Sequence, residues 1–283
     1  MADTGLAAAD YEKEYDNRGR VPEHPEIFAR WISEGAAYRE AARGEYGLKY
    51  GPGQRQLIDL FPAKDDDAPL ALFIHGGWWR SLDPAMFSQL AAGPNAHNIA
   101  VAVAGYELCP GRSIADIIEQ MRSACLWLWR RQKKRIFVYG HSAGGHLAAC
   151  MLAQDWKAFA SDAPTDLVPA AYAISGVFDL APLVHVSQNA DLKLDAEEAR
   201  RVSPLYWKVP AGRTLDAVVG ALESNEFLRQ SGSIVEDWGA RGVATRYEEI
   251  VGANHFTVVD PLADPESAMT KRVVQLAEMV ASL

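Results

Sequence analysis

Cysteine is scarce. Only Cys109, Cys125 and Cys150 occur in 283 residues, far apart and with no C-x-x-C spacing. Neither a disulfide framework nor a metal site is indicated, and a reducing compartment is expected. Positive charge is also short: 28 basic residues against 37 acidic give a net charge of −9 and a pI of about 5.3. A chain of that sign is a poor polyanion binder, so no nucleic-acid partner is expected. The apolar runs are strand-length, well short of the roughly 18 residues of a crossing helix, so no membrane span is expected. Met1–Arg20 lacks a basic stretch followed by an apolar one, so no secretory signal is expected and the location is taken as cytoplasmic. Neither an internal repeat nor a low-complexity linker divides the chain, and composition is ordinary for a globular protein. One α/β domain over 1–283 with a sizeable core is the expectation.

What is present alternates. Residues 1–44 are polar and helix-prone, with Ile27, Phe28, Trp31 and Ile32 at helical spacing, which predicts a helical arm laid on the body. After Gly51-Pro52-Gly53 come short apolar strands separated by helical stretches. The strands are expected at Gln56–Phe61, Leu70–His75, Ile99–Ala104, Arg135–Tyr139, Ala170–Ser175, Asp216–Gly220 and Arg246–Val251. Continuous apolar strands between helices predict a mostly parallel, doubly wound sheet covered on both faces. Ile114, Ile117, Ile118, Met121, Cys125 and Leu128 mark one crossover helix, and Val273–Leu283 a C-terminal one. Alternation breaks at about 180–212, a long connection of the kind that often forms a lid over a site.

The chemistry is concentrated in a few turns. Strand Arg135–Tyr139 runs into Gly140-His141-Ser142-Ala143-Gly144 and then an alanine-rich helix, which is G-x-S-x-G in strand–turn–helix context. Such a turn presents the Ser142 hydroxyl as a nucleophile; a bare glycine-rich helix start is the plain alternative. Upstream, the strand Ala71–Ile74 ends in His75-Gly76-Gly77-Trp78-Trp79. The N–H groups of Gly76 and Gly77, with that of Ala143, are the natural oxyanion hole, because glycine backbone can approach a tetrahedral oxyanion closely. Serine needs a base. Seven histidines are available: His24, His75, His97, His141, His146, His185 and His255. Only His255 follows the last expected strand, where the chain order of this template puts the base. Its orienting acid should lie between Ser142 and His255, at a strand end. Glu223, in Gly220-Ala221-Leu222-Glu223, is favoured, and Asp179 is its rival.

Together these motifs resemble the α/β-hydrolase superfamily, within it the kynurenine formamidase (arylformamidase) branch of the hormone-sensitive-lipase-like esterases. HGGWW at His75–Trp79 and GHSAGGHLA at Gly140–Ala148 are similar to that branch's oxyanion and nucleophile motifs. Tyr106–Pro110, Ile174–Asn189 with Glu197–Leu205, and Gly220–Ser231 resemble its Tyr-x-x-x-Pro segment, lid and acid turn. The acid turn usually carries aspartate, and this chain has glutamate, whose longer side chain needs a different backbone placement to reach His255. The resemblance implies hydrolysis of N-formyl-L-kynurenine or a similar aryl formamide through an acyl-serine, with no metal or organic cofactor. Trp78, Trp79, Tyr106, Phe178, Trp207 and Phe256 are the expected substrate-binding aromatics, with plain core packing the alternative, above all for Tyr106 and Phe178. Short-chain carboxylesterase activity, or an inactive ligand-binding hydrolase fold, are the alternatives, and a homodimer is compatible with the sequence.

Overall fold

The computed structural model describes residues 8–283. Eight strands form one sheet: β1 (Glu45–Lys49), β2 (Leu57–Phe61), β3 (Leu70–Ile74), β4 (Ala100–Ala104), β5 (Ile136–His141), β6 (Ala170–Ile174), β7 (Thr214–Gly220) and β8 (Ala244–Ile250). They lie in the order β1-β2-β4-β3-β5-β6-β7-β8. β2 pairs antiparallel with both β1 and β4, while the pairings from β4 through β8 are parallel. All seven expected strands are present, with ends displaced by no more than two residues. β1 was not expected from the sequence. It is an edge strand, exposed along Glu45, Tyr46 and Gly47, so no buried face imprints an apolar pattern on it.

Burial on both faces explains the central strands. In β3, Leu70, Leu72 and Ile74 enter one apolar cluster and Ala71 and Phe73 the other. β5 does the same with Ile136 and Val138 against Phe137 and Tyr139. The period of two is intact, but both sets are apolar because both faces are covered. On the first face lie helices Ile114–Gln132, Ala143–Leu152 and Asn225–Ala240, together with segment 180–212. Helices His24–Ala41 and Ala268–Ala281 cover the second. Ser113 and Asp116 close the start of the first helix with a reciprocal capping box. The C-terminal helix begins five residues earlier than the sequence suggested, at a Ser267 cap.

Residues 8–41 do not stay on one face. Tyr15 is buried in the first cluster, whereas Val21, Ile27 and Trp31 are buried in the second. The arm therefore crosses an end of the sheet between Tyr15 and Val21, and Asp16–Arg20 forms the crossing. Its ends are firmly held. Tyr15 donates to Glu226 Oε2 at 2.9 Å and accepts from Gln230 Nε2 at 2.9 Å, while Arg229 grips the Glu226 carboxylate with two nitrogens at 2.7 and 2.8 Å. Burial, then the Glu226 charge, push the Tyr15 phenol well above its usual range, so it serves as a neutral donor. Further along, Trp31 Nε1 and Arg30 both reach Asp260. Among the described residues no helix is long and apolar enough to cross a membrane.

Candidate active site

Four strand ends, those of β3, β5, β7 and β8, and the loops that leave them build the site. β5 ends at His141, and Ser142 sits at φ 57°, ψ −117° before helix Ala143–Leu152. A side chain in that left-handed region is strained by roughly 1–3 kcal/mol, a cost that persists only where surrounding contacts over-determine it. Here the Ser142 N–H bonds the Ile174 carbonyl at 2.8 Å. The flanking glycines are sterically required: a Cβ on Gly144 would lie 1.9 Å from the Ile74 oxygen, and one on Gly140 would lie 2.3 Å from the Gly144 oxygen. Close approach of that helix to β3 is thus why the motif reads G-x-S-x-G.

The candidate base and acid arrive from β8 and β7. His255, in the turn after β8, places Nε2 3.1 Å from Ser142 Oγ. Its Nδ1 is 2.6 Å from Glu223 Oε2. Nδ1 beside a carboxylate carries the proton, which leaves Nε2 with a lone pair toward the serine. Glu223 Oε1 accepts from the Gly220 N–H at 2.7 Å and the Ser175 hydroxyl at 2.5 Å, so both carboxylate oxygens are occupied. The extra methylene of glutamate is taken up by this turn, in which the acid bonds its own strand end. Asp179 plays a different part: its Oδ1 accepts the Ala181 N–H at 3.1 Å at the start of segment 180–212.

The glycine turn lies directly on Ser142. A Cβ on Gly76 would sit 2.8 Å from the His141 oxygen and 3.0 Å from Ser142 Cβ; on Gly77, at φ 109°, it would be 2.4 Å from the Ser81 oxygen. Arg80 N, Ser81 N and Ser81 Oγ all donate to the Gly77 carbonyl, at 3.0, 3.0 and 2.9 Å. That fixes the turn from behind. As the first residue of its helix, Ala143 has an N–H with no intrahelical carbonyl to meet. Gly76, Gly77 and Ala143 therefore meet around Ser142.

The other histidines are accounted for by structure. His75 is stacked on Tyr106 at 4.4 Å and donates Nδ1–H to the Gly76 carbonyl at 2.7 Å; burial lowers its pKa to about 4. His141 donates Nε2–H to the His255 carbonyl at 2.7 Å, and burial, reinforced by His255, holds it well below its ordinary pKa. It remains a neutral strut for His255. His146 donates to the Val202 carbonyl at 2.8 Å, and burial lowers it to about 4. His24, His97 and His185 lie elsewhere, the first bonded to Val21, the second to Pro265 and the third stacked on Tyr11.

A narrow cavity of about 40 Å³ surrounds Ser142 and His255, with room for only a few water-sized groups. Trp78 and Phe256 line it, as the sequence led one to expect. The other four expected aromatics do not. Trp79 is fully buried and packs edge-on against His146 at 5.0 Å. Tyr106, also fully buried, donates to the His75 carbonyl at 2.9 Å and so supports the glycine turn from beneath. Phe178 is buried against Gly176. Trp207 lines a separate groove with Ser113 and Asp116, its Nε1 bonded to the Arg201 carbonyl at 2.8 Å. In this structure these four stand in supporting and surface positions, outside the lining of the cavity at Ser142.

Sequence reasoning missed the arm's share. Asn17, Arg18, Phe28 and Trp31 line the cavity, and no residue of 180–212 does. Phe28 and Trp31 carried a signal in their helical spacing, but Asn17 and Arg18, in Asp16-Asn17-Arg18-Gly19-Arg20, carried none. Tyr15 supports from behind: it meets Trp78 at 6.0 Å and Phe227 at 5.6 Å, and Phe227 meets the His255 ring at 4.5 Å.

Comparison with known proteins adds a family frame. A family model described as alpha/beta hydrolase fold matches residues 71–259, about two-thirds of the chain. Kynurenine formamidase of Salmo salar is 28% identical over 254 residues, 84% of this chain and 83% of that protein. The Drosophila melanogaster kynurenine formamidase is 27% identical over 238 residues, covering 79% and 78%. Among solved structures, a Silicibacter sp. protein provisionally assigned as a thioesterase superposes with TM-score 0.82 at 32% identity, covering 94% of this chain and 99% of that one. A thermophilic, thermostable carboxylesterase cloned from a metagenomic library shares the fold, with TM-score 0.68 at 18% identity over 91% and 96%.

Proposed function

The chain belongs to the alpha/beta hydrolase fold family, and from that premise we propose that it is a serine hydrolase cleaving a small aryl formamide, N-formyl-L-kynurenine or a close analogue. The observation that carries this reading is the unbroken chain of contacts from Ser142 Oγ through His255 to Glu223. His255 Nε2 accepts the Ser142 proton as Oγ bonds to the substrate carbonyl carbon, and the carbonyl electron pair moves onto oxygen. Backbone N–H groups of Gly76, Gly77 and Ala143 receive that oxyanion. Glu223 stabilises the imidazolium and keeps its tautomer. The tetrahedral centre collapses, the C–N bond breaks, and His255 gives its proton to the leaving amine. Water, deprotonated by His255, then attacks the acyl-serine, and Ser142 regains the proton as the acid departs.

The narrowness of the site supports a small substrate: a cavity of about 40 Å³ beside Ser142 suits a short acyl group better than a long chain. Trp78 and Phe256 offer faces for the aromatic part. Two relatives named kynurenine formamidase, each matched over more than three-quarters of this chain, support the same substrate class. The competing reading, cleavage of a short-chain ester or thioester, draws on the relative provisionally assigned as a thioesterase. Both use the same residues.

Side-by-side assay of N-formyl-L-kynurenine and short-chain p-nitrophenyl esters separates the two. We expect the formamide to be turned over with the higher kcat/KM and Ser142→Ala to abolish the activity. Efficient ester cleavage with no measurable formamide turnover would reject the formamidase reading.

A further inference from the structure

Beside the cavity over Ser142 lies a larger vestibule of about 250 Å³, and the two share Asn17, Arg18, Trp78 and Ser81 as common walls. Arg80 and Gln188 close its far side, and Asp16 completes the stretch contributed by the arm.

Charge in the vestibule is unevenly paired. Arg80 Nη1 lies 2.5 Å from Asp191 Oδ2, which largely satisfies it. Asp16 Oδ1 accepts the Gly19 N–H at 2.9 Å as a helix cap. Arg18 has no carboxylate within ion-pair distance among the described residues. Its guanidinium instead sits 5.7 Å from the centre of the Phe28 ring, a cation–aromatic contact that holds the group at the cavity wall. Beside it, Asn17 is 5% exposed and its Nδ2 has no hydrogen-bond partner. A buried amide left this way is costly, and a bound acceptor would relieve the cost.

We propose that Arg18, with the Asn17 amide beside it, is the specificity-determining group that receives a carboxylate carried on the leaving-group side of the substrate. The enzyme then prefers acidic or zwitterionic arylamides over neutral ones, a preference that rests on the hydrolase reading of Ser142. The chemistry fits in three ways. The guanidinium presents paired donors matched to a carboxylate. The vestibule lies next to the catalytic cavity and shares its walls, so a substrate whose carbonyl is at Ser142 extends its far end there. Asp16 on the same vestibule wall carries the opposite charge, so an α-amino acid head meets both signs.

Arg18 is exposed, which screens its charge, so the effect on binding is expected to be about tenfold. The test uses two matched substrate pairs: an aryl formamide with and without a side-chain carboxylate, and a phenyl acetate with and without one. In Arg18→Gln the acid-over-neutral ratio of kcat/KM should fall about tenfold, with the loss in KM. Arg18→Lys, which keeps the charge but not the paired donors, should restore part of it, and added salt should shrink the wild-type ratio. Binding without turnover gives the same comparison: tryptophan fluorescence titration with an aryl α-amino acid and with the matching neutral arylamine. A ratio unchanged in Arg18→Gln, a loss carried by kcat, or equal affinity of wild type and variant for the amino acid overturns the proposal. Failure of both formamides, with the Arg18-dependent ratio kept in the phenyl acetates, leaves the carboxylate site standing and rejects the formamide substrate.

Discussion

The arm at residues 8–41 and the segment at 180–212 are both helical excursions from the sheet, yet they serve the site differently. Segment 180–212 looks like the lid: it is long, it interrupts the alternation, and it follows a strand. In the structure it packs Leu183, Leu192, Leu194 and Ala199 into the first-face core and reaches the vestibule only through Gln188. The arm looks like a plain amphipathic appendage, yet it crosses the end of the sheet and lines the catalytic cavity with Asn17, Arg18, Phe28 and Trp31. Cover over a site is decided by which segment crosses the catalytic strand ends, not by the length of a connection.

The sharpest break between candidates concerns the two acids. Glu223→Ala should lower kcat by about four orders of magnitude, because the histidine loses the group that fixes its tautomer. Asp179→Ala, at the start of segment 180–212, should cost about 1 kcal/mol of stability through its lost hydrogen bond to the Ala181 N–H and change kcat less than about threefold. Steady-state kinetics with urea denaturation measures both.

The two excursions themselves are compared by paired truncations. Tyr15→Ala removes a fully buried ring between Trp78 and Phe227 and leaves the Glu226–Gln230 cluster without its phenol. It should cost about 3–5 kcal/mol and also lower kcat/KM at least about tenfold. Leu192→Ala, 3% exposed in the other excursion, should cost about 2–4 kcal/mol with kcat/KM nearly kept. Equal kinetic loss in both would erase the distinction.

The seam of segment 180–212 should titrate. His146 joins the nucleophile helix to the Val202 carbonyl, and burial lowers its pKa to about 4 from an ordinary 6.5. Between those values the unfolded chain binds the extra proton, so the stability this depression represents is lost as pH falls below about 6.5. From pH 7 to pH 5 the expected loss from His146 is about 2 kcal/mol, with a similar one from His75. His146→Gln should flatten part of that slope in denaturant midpoints. The smallest expected effect is a control away from the Ser142 cavity, in the groove that segment 180–212 borders through Trp207: Ser113→Ala, which opens the capping box of helix Ile114–Gln132, should cost about 1 kcal/mol and leave the kinetics alone.

Legibility followed physical necessity. Gly140, Gly144, Gly76 and Gly77 could be recognised because a Cβ at each would collide with backbone, so the motif carries the geometry in its letters. Glu223 could be found because its turn ties it to the end of β7. The central strands were legible because burial on both faces forces continuous apolar runs. β1 was not, since an exposed edge imposes no pattern. Trp79, Tyr106 and Phe178 misled because a large ring is as useful for filling a core as for holding a substrate. Asn17 and Arg18 were silent because their position depends on where the arm crosses the sheet, which Tyr15 and Trp31 decide from opposite faces.

The most direct measurement is labelling with a fluorophosphonate followed by peptide mass spectrometry. We expect one adduct, on the Ser142 hydroxyl, absent in Ser142→Ala and strongly slowed in His255→Ala. An adduct that persists in Ser142→Ala would contradict the assignment of Ser142 as nucleophile.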